Sequence, residues 1–263
     1  MSKSLEHVQT PEEVELELKR TELSRLEAQL AQRELDLETL RAELFSFERQ
    51  YMQVVGIRLA ELDQVEAEIA VLLSKANPAN AEIRAKAETA REQAQGSAEA
   101  AREAAESGAR LDFKPSDELK KLYREVAKQI HPDLANDDSE KEKRHRLMAE
   151  ASEAYRNGDI ARLQQILCEW QHSPEAVKGE GAGADLVRVI RKSALIRNRL
   201  AAIDSEVEVL KTSELYELRE QVASAKKAGR DLLKDMEASV EEDIAAARHR
   251  LNRMAIKGNA VRD

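Results

Sequence analysis

The tripeptide His131-Pro132-Asp133 is the feature of this 263-residue sequence whose residue types could act on another molecule. Proline fixes its own φ angle and disfavours helical backbone in the residue before it. The tripeptide therefore predicts the end of a helix and a rigid turn that holds an imidazole and a carboxylate at its apex. An ordinary capping turn between two helices is the simplest alternative interpretation.

Four cations come just before this turn on one face of a predicted helix. Lys120, Arg124 and Lys128 are spaced four residues apart, and Lys121 lies beside them. The opposite face of the same helix carries the apolar residues Leu119, Leu122, Tyr123, Val126 and Ile130. This spacing is typical of an amphipathic helix with one buried side. Taken alone, the cations predict a solvated helix face. Beside a rigid turn, they favour an electrostatic contact with a partner.

Two more short helices are predicted after the turn. The first is expected to bury apolar residues at helical spacing, namely Leu147, Met148, Ala151, Ala154 and Tyr155. Gly158-Asp159 ends it, and the second helix carries Ile160, Leu163, Ile166, Leu167 and Trp170. Cys168 is the single cysteine, so internal disulfides and thiolate-rich metal sites are excluded. We expect Cys168 to be buried on the apolar side of the last helix.

The cationic helix, the turn and the helix after it resemble the J domain of DnaJ-type co-chaperones. The matching residues are Leu119-Lys120-Lys121-Leu122-Tyr123-Arg124-Glu125-Val126-Ala127-Lys128-Gln129-Ile130-His131-Pro132-Asp133, followed by Glu153-Ala154-Tyr155. The tripeptide alone would be a weak signal. Here Lys-x-x-Tyr-Arg precedes it and Ala-Tyr follows it at the distance typical of the family, which makes the combined pattern specific.

The resemblance implies that this module, residues 111–172, docks on the ATPase domain of a DnaK-class chaperone and stimulates ATP hydrolysis there. By position, the basic contacts would be Lys120, Lys121, Arg124 and Lys128, and the trigger would be His131, Pro132 and Asp133. The basic face would meet an acidic surface of the chaperone, and the turn would reach its interdomain linker. The chain itself would make or break no bond. We therefore expect it to be no enzyme and to need neither a metal nor any other cofactor.

The module departs from the family pattern in two places. The usual first helix, with its Asp-Tyr-Tyr-x-x-Leu-Gly signature, is absent, and only Leu111-Asp112-Phe113 precedes the cationic helix. Met148 and Ala151 stand where the family has phenylalanine and isoleucine or leucine. We expect the core to be rebuilt by Phe113, Ile166 and Trp170, or by the segments that flank the module.

The composition of the whole chain predicts an all-α protein. Aromatic residues make up 3%, and there are only nine glycines and five prolines, so strand-forming and turn-forming residues are scarce. The formal net charge of −9 argues against general affinity for nucleic acid or anionic membranes. No apolar run is long enough to span a bilayer. Without a secretory signal at the start, and with one cysteine, a cytoplasmic location is expected.

Heptad repeats flank the module on both sides. In the first flank, one stripe recurs every seven residues from Leu16 to Leu72, with only Arg58 polar. A second stripe includes Leu26, Leu40, Phe47 and Val54 and then moves by one residue to Val55, Leu62 and Ile69. Two such stripes are typical of a coiled coil. The move lies beside Gly56, where we expect the buried face to rotate or the pairing of the helices to loosen. A capping box at Thr10–Glu13 predicts the start of this helix.

The sequence therefore divides into six segments. They are an N-terminal coiled-coil helix (1–76), an Ala-rich helical spacer (77–110), the module (111–172), a flexible linker (173–184), a C-terminal coiled-coil helix (185–256) and a disordered tail (257–263). The predicted fold is all-α, with two long coiled-coil arms flanking a small helical J-like domain. The simplest arrangement pairs the arms antiparallel within one chain, and a parallel homodimer would satisfy the same pattern.

Two functions fit this organisation. In the first, the protein is a co-chaperone that recruits a DnaK-class ATPase to a client or partner protein bound by the arms. In the second, it is a coiled-coil scaffold or adaptor in which the module is only a packing domain. Nucleic-acid binding through the cationic helix is disfavoured, because the surrounding arms are acidic.

Overall fold

The computed structural model describes residues 10–106, 113–135, 138–171 and 182–259. Within these ranges every regular element is a helix and no strand occurs, so the all-α prediction is confirmed. The chain divides into two compact units. The first consists of Met1–Glu43 and Phe113–Thr212, and the second consists of Leu44–Asp112 and Ser213–Asp263.

The helices follow one another with short connections. In chain order they are α1 (Pro11–Tyr51), α2 (Ile57–Ala76), α3 (Ala81–Glu106), α4 (Asp117–Ile130), α5 (Asp138–Asn157), α6 (Ile160–Gln171), α7 (Ala182–Lys211), α8 (Glu214–Lys227) and α9 (Leu232–Asn259). A π-helical turn, Met52–Gly56, lies between α1 and α2, and a 3-10 turn, Pro132–Leu134, follows α4.

The predicted capping box starts α1. The backbone N–H of Thr10 donates to Oε2 of Glu13 over 2.9 Å. In return, the backbone N–H of Glu13 donates to Oγ1 of Thr10 over 3.3 Å. These two bonds satisfy backbone donors that have no partner inside the helix, which fixes where α1 begins.

In the first unit, α7 packs along α1 through an apolar cluster. Its buried members are Leu26, Leu30, Leu37, Leu134, Ile196 and Ile203. Ion pairs flank the cluster and join Arg20 to Asp185, Glu34 to Arg199, and Arg41 to Glu206. Because the residue numbers of both partners rise together, α1 and α7 run in the same direction.

This parallel direction corrects the expected antiparallel pairing of the arms within one chain. That expectation assumed that the chain folds back directly from one arm onto the other. In the second unit, however, α3 turns back along α2, and the side chain of Gln93 donates to Asp63 over 3.0 Å. This additional reversal of the chain is what the expectation left out.

The π-helical turn in the second unit explains the one-residue move of the apolar stripe. A π-helical turn accommodates one extra residue, so the buried face continues one position later. Phe47, Val55 and Ile69 are all buried. The predicted rotation beside Gly56 is therefore confirmed at the level of the backbone. The alanines of α3 at seven-residue spacing, Ala87, Ala94 and Ala101, are buried as well.

Helices α4, α5 and α6 pack against one another in the first unit. Their shared core is built from the buried residues Leu119, Tyr123, Val126, Ala127, Ile130, Ala151, Ala154, Tyr155, Leu163 and Ile166. Phe113 and Trp170 are partly buried against it, and α1 completes it with Ala31 and Leu35. The module's own residues and a flanking arm therefore both contribute to this core.

Cys168 is exposed, which corrects the expectation that it is buried. It lies two residues after Ile166, which faces the core, so the helical rotation places Cys168 on the opposite side of α6.

The predicted C-terminal coiled-coil helix, 185–256, is divided into α7, α8 and α9, and its two outer boundaries also differ from the prediction. Helix α7 begins at Ala182, inside the predicted linker, and α9 continues to Asn259, inside the predicted tail. The rest of the linker, 173–181, and the rest of the tail, 260–263, lie outside the described residues. No helix in the described ranges is long and apolar enough to cross a lipid bilayer.

Candidate functional site

Helix α4 holds the four predicted cations on one side. Its N-cap is Ser116, whose Oγ accepts a hydrogen bond from the backbone N–H of Leu119 over 3.1 Å. The apolar side of α4 is buried in the module core, which turns the other side outward. Lys121, Arg124 and Lys128 are exposed and Lys120 is half-buried. We call these four residues the basic face.

The His-Pro-Asp turn, His131–Asp133, follows directly. His131 has φ −57° and ψ 132°, the extended backbone that a following proline favours, so α4 ends at Ile130. The Nδ1 atom of His131 accepts a hydrogen bond from the backbone N–H of Asp133 over 3.1 Å. The structure therefore places all seven predicted site residues on one helix and the turn that ends it.

Arg144 of α5 fixes this turn from within the module. Its Nη1 atom donates to the carbonyl oxygens of Gln129, over 2.9 Å, and of His131, over 3.2 Å. Its Nη2 atom donates to Oε1 of Glu140 over 2.7 Å. The guanidinium also lies over the ring of Trp170, at 4.5 Å from the centroid. Arg144 thus satisfies backbone acceptors at the end of α4 that helix geometry leaves free.

His131 itself is buried, with 2% of its surface exposed. Its Nε2 atom lies 2.9 Å from Oε1 of Glu34 on α1. Since Nδ1 accepts a hydrogen bond from Asp133, the proton of a neutral ring lies on Nε2, and His131 donates to Glu34. The same carboxylate accepts hydrogen bonds from Nε of Arg199, over 2.8 Å, and from its Nη2, over 3.1 Å.

Burial and hydrogen bonding act on the pKa of Glu34 in opposite directions. Burial raises it, but the hydrogen bonds and charges of His131 and Arg199 outweigh burial and lower the pKa below its ordinary value. The pKa of Arg199 is raised, because its bonds to Glu34 and Glu206 outweigh the effect of burial. Both groups are therefore charged at neutral pH, and Glu34 joins the turn to both arms.

The arms also approach the basic face. Nη1 of Arg124 donates to Oε1 of Gln32 on α1 over 3.3 Å. Burial raises the pKa of Glu27, and the nearby cations of Lys192 and Lys128 oppose that shift. The basic face is therefore accessible from solvent, but its edge nearest to α1 interacts with polar residues of the arm.

These groups are suited to binding another protein. The buried imidazole is held by hydrogen bonds to Glu34 and to the backbone N–H of Asp133, and the Glu34 carboxylate is held by its ion pair with Arg199. Across the described part of the chain, no group of histidine, cysteine, aspartate and glutamate side chains could hold a metal ion. An exposed cationic helix face next to a rigid turn can form an oriented contact with an acidic protein surface.

No protein-family model, curated protein or solved structure matches this chain. The interpretation of the module therefore rests on its sequence pattern and on the geometry described above.

Sequence reasoning missed Glu34 and Arg199. The heptad stripes drew attention to positions seven apart, whereas Glu34 belongs to a row of buried residues four apart, Leu26, Leu30, Glu34 and Glu38. A carboxylate in such a row signals a buried partner, because an unpaired buried charge is too costly to persist. The sequence does not show that the partner is the histidine of the turn.

Proposed function

We propose that this protein is a co-chaperone of the J-domain type. In this proposal, residues 111–172 dock on a DnaK-class chaperone and stimulate its ATPase through the His-Pro-Asp turn. The arms pair as a coiled coil, bind a client or partner protein, and bring the chaperone to it in the cytoplasm. The observation that carries the proposal is the exposed basic face that leads into a turn held rigid by Arg144.

The charge of the basic face and the rigidity of the turn favour binding to a specific partner over non-specific binding. The chain as a whole carries a net charge of −9, yet Lys121, Arg124 and Lys128 present a local positive surface. Such a surface attracts an acidic partner and repels basic ones, and it orients the encounter before contact. The hydrogen bonds of Arg144 hold the turn in one shape, so a partner would not have to order it.

The test is single-turnover ATP hydrolysis by a purified DnaK-class chaperone with and without the full chain. We expect the wild-type chain to raise the rate, and the double variant Lys121→Glu, Lys128→Glu to abolish the increase. The matched control is Lys141→Glu with Arg146→Glu, which reverses two exposed cations on α5. An unchanged rate with saturating wild-type chain would refute the proposal.

The trigger is tested separately through Asp133. His131 is a poor choice because it is buried against Glu34, so replacing it disturbs the packing of the arm. The side chain of Asp133 is 21% exposed and can be changed to asparagine without altering its shape. We expect Asp133→Asn to bind the chaperone but to leave its ATPase rate near the basal value.

A scaffold or adaptor is the second candidate function, and the burial of His131 favours it. An imidazole that is 2% exposed and bonded on both nitrogens behaves as a structural residue. This function predicts that the double reversal at Lys121 and Lys128 has no effect in cells, whereas Leu37→Asp in the buried cluster between α1 and α7 abolishes function. Loss of cellular function with the basic-face variant alone would exclude it.

A further inference from the structure

The surface that would meet the chaperone is only partly accessible. The basic face is exposed, but His131 is 2% exposed and Leu134, directly after the turn, is 8% exposed. Pro132 is buried as well. A partner approaching the module would therefore reach the cations first and find the turn covered.

The cover is formed by both arms. Glu34 of α1 accepts the hydrogen bond from His131, and Arg199 of α7 holds Glu34 in place with two further bonds. Leu134 inserts into the apolar cluster between the arms, beside Leu30 and Ile196. Besides the contacts made within the module, the arms thus supply one polar contact, at His131, and one apolar contact, at Leu134.

The contact between α1 and the module contains many polar pairs, so the two can separate. It includes the polar pairs Gln32–Arg124, Glu34–His131, Glu38–Arg156 and Thr39–Tyr155. Its buried apolar residues from α1 are Ala31 and Leu35 in the module core, and Leu30 in the cluster that includes Leu134. Polar groups regain hydrogen bonds from water on separation, and contacts between separately moving parts of a chain are typically polar. When α1 separates, the module retains the packing among α4, α5 and α6.

We propose that α1 and α7 form a closable cover over the His-Pro-Asp turn, and that the Glu34 carboxylate is its latch. In the closed state the basic face is available but the turn is not. When the arms move off the module as a pair, His131 and Asp133 become accessible to the interdomain linker of a DnaK-class chaperone whose acidic surface meets the basic face. This inference rests on the proposed co-chaperone function and adds that the arms regulate it.

The role of Glu34 can be tested by reversing its charge, and a matched charge reversal is available on the same pair of helices. Glu34→Lys places a cation against Arg199 and His131 and should open the cover. Glu22→Lys makes the same change in α1 at an ion pair with Arg197 of α7 that does not involve the module. Glu34→Gln keeps the side-chain shape and should have an intermediate effect, which tests the latch even if Glu34→Lys loses helicity by circular dichroism.

Two measurements on the full chain separate the cover from the function. The first is labelling of His131 by diethylpyrocarbonate, quantified by mass spectrometry against the exposed His145 and His249. The second is the concentration of chain that half-saturates stimulation of the chaperone ATPase. A cover that is closed in about nine molecules of ten weakens apparent affinity about tenfold. We therefore expect Glu34→Lys to increase His131 labelling and to lower the half-saturating concentration, each by about tenfold. Glu22→Lys should change neither.

Each other outcome overturns a defined part of the inference. If His131 labelling is unchanged in Glu34→Lys and in Glu34→Gln, the cover is not held by the latch and the inference is wrong. If labelling rises but the wild-type chain already stimulates as strongly as the variants, the cover exists but does not regulate. If labelling rises and no form of the chain stimulates the chaperone, the proposed function fails and the opening cover remains.

Discussion

The carbonyl oxygen of His131 accepts a hydrogen bond from Nη1 of Arg144 over 3.2 Å, while the imidazole of the same residue is bonded to Glu34. The backbone of the turn is therefore fixed by the module, and its side chain is covered by an arm. Shape and accessibility of the turn depend on different contacts. A substitution can change one without the other.

Replacing Arg144 should destabilise the first unit strongly. In Arg144→Met, the buried carboxylate of Glu140 loses its ion pair with Arg144, and the carbonyl oxygens of Gln129 and His131 lose a donor. Removing one partner of a buried ion pair typically costs about 3–5 kcal/mol. We expect a decrease of that order in the free energy of unfolding, measured by urea titration followed by circular dichroism.

The matched control for this substitution is Arg146→Met. Arg146 lies on the same helix and is exposed, so its replacement should change the unfolding free energy by no more than about 0.5 kcal/mol. Equal effects of the two substitutions would show that the turn does not depend on the contacts of Arg144.

The stability of the first unit should depend on Glu34 in mild acid. The pKa of Glu34 is lowered in the folded state from an ordinary value of 4.5. A carboxyl group with a lowered folded pKa stabilises the protein above its unfolded pKa, and the stabilisation is lost as pH falls through the folded value. The difference in unfolding free energy between the wild type and Glu34→Gln should therefore be constant above about pH 5 and shrink below pH 4.5.

Urea unfolding at a series of pH values measures this difference, and the comparison removes the contribution of the other carboxyl groups. Glu22→Gln is the control. The pKa of Glu22 is also lowered, through its bonds to Lys19 and Arg197, but Glu22 lies at the surface, where solvent screens its interactions. A pH dependence as large for Glu22→Gln as for Glu34→Gln would contradict the special position of Glu34.

The local features of the fold were predictable because they follow from periodicity. The seven-residue stripes identified the buried side of α1, and the one-residue move marked the position beside Gly56 where the π-helical turn Met52–Gly56 occurs, although not its type. The capping box at Thr10 and Glu13 gave the start of α1. Each of these signals acts within a few residues along the chain, so the sequence displays it directly.

The direction of the arms and the burial of His131 were not predictable in the same way. Both depend on residues far apart in sequence, such as Glu34 with Arg199 and with His131. A heptad stripe shows that a helix has a partner and does not identify it. The basic face was predictable as one side of α4, but the polar residues of α1 along its edge were not.

The apolar cluster between α1 and α7 should carry much of the stability of the first unit. Leu37→Ala would remove a side chain that is 1% exposed, and such truncations cost about 2–5 kcal/mol because a cavity remains. Leu18→Ala makes the same change on the same helix at a residue that is 62% exposed. We expect it to change the free energy of unfolding by less than about 0.5 kcal/mol. Thermal unfolding of both variants tests this, and similar losses would show that α7 does not bury Leu37.

Two glycines of the second unit should respond to alanine in opposite ways. Gly96 lies inside α3, and apart from its chain neighbours and the nearby backbone of α3 itself no atom lies within 4 Å of the position that a Cβ would take. Alanine is favoured over glycine inside a helix by about 1 kcal/mol, so Gly96→Ala should stabilise by up to that amount. Gly229 has a φ of +78°, and the backbone N–H of Arg230 donates to the carbonyl oxygen of Ala225 across it, over 2.9 Å.

This bond, together with that from the N–H of Gly229 to the carbonyl oxygen of Lys226 over 3.1 Å, closes the C-terminus of α8 in a Schellman motif. The motif needs one residue in the left-handed backbone conformation, and adopting this conformation costs a residue other than glycine about 1–2 kcal/mol. Gly229→Ala should therefore lower the melting temperature, and Gly96→Ala should raise it, in the same differential scanning experiment. A stabilising Gly229→Ala would mean that α8 does not end in this motif, because alanine is favoured over glycine only where the backbone continues as a right-handed helix.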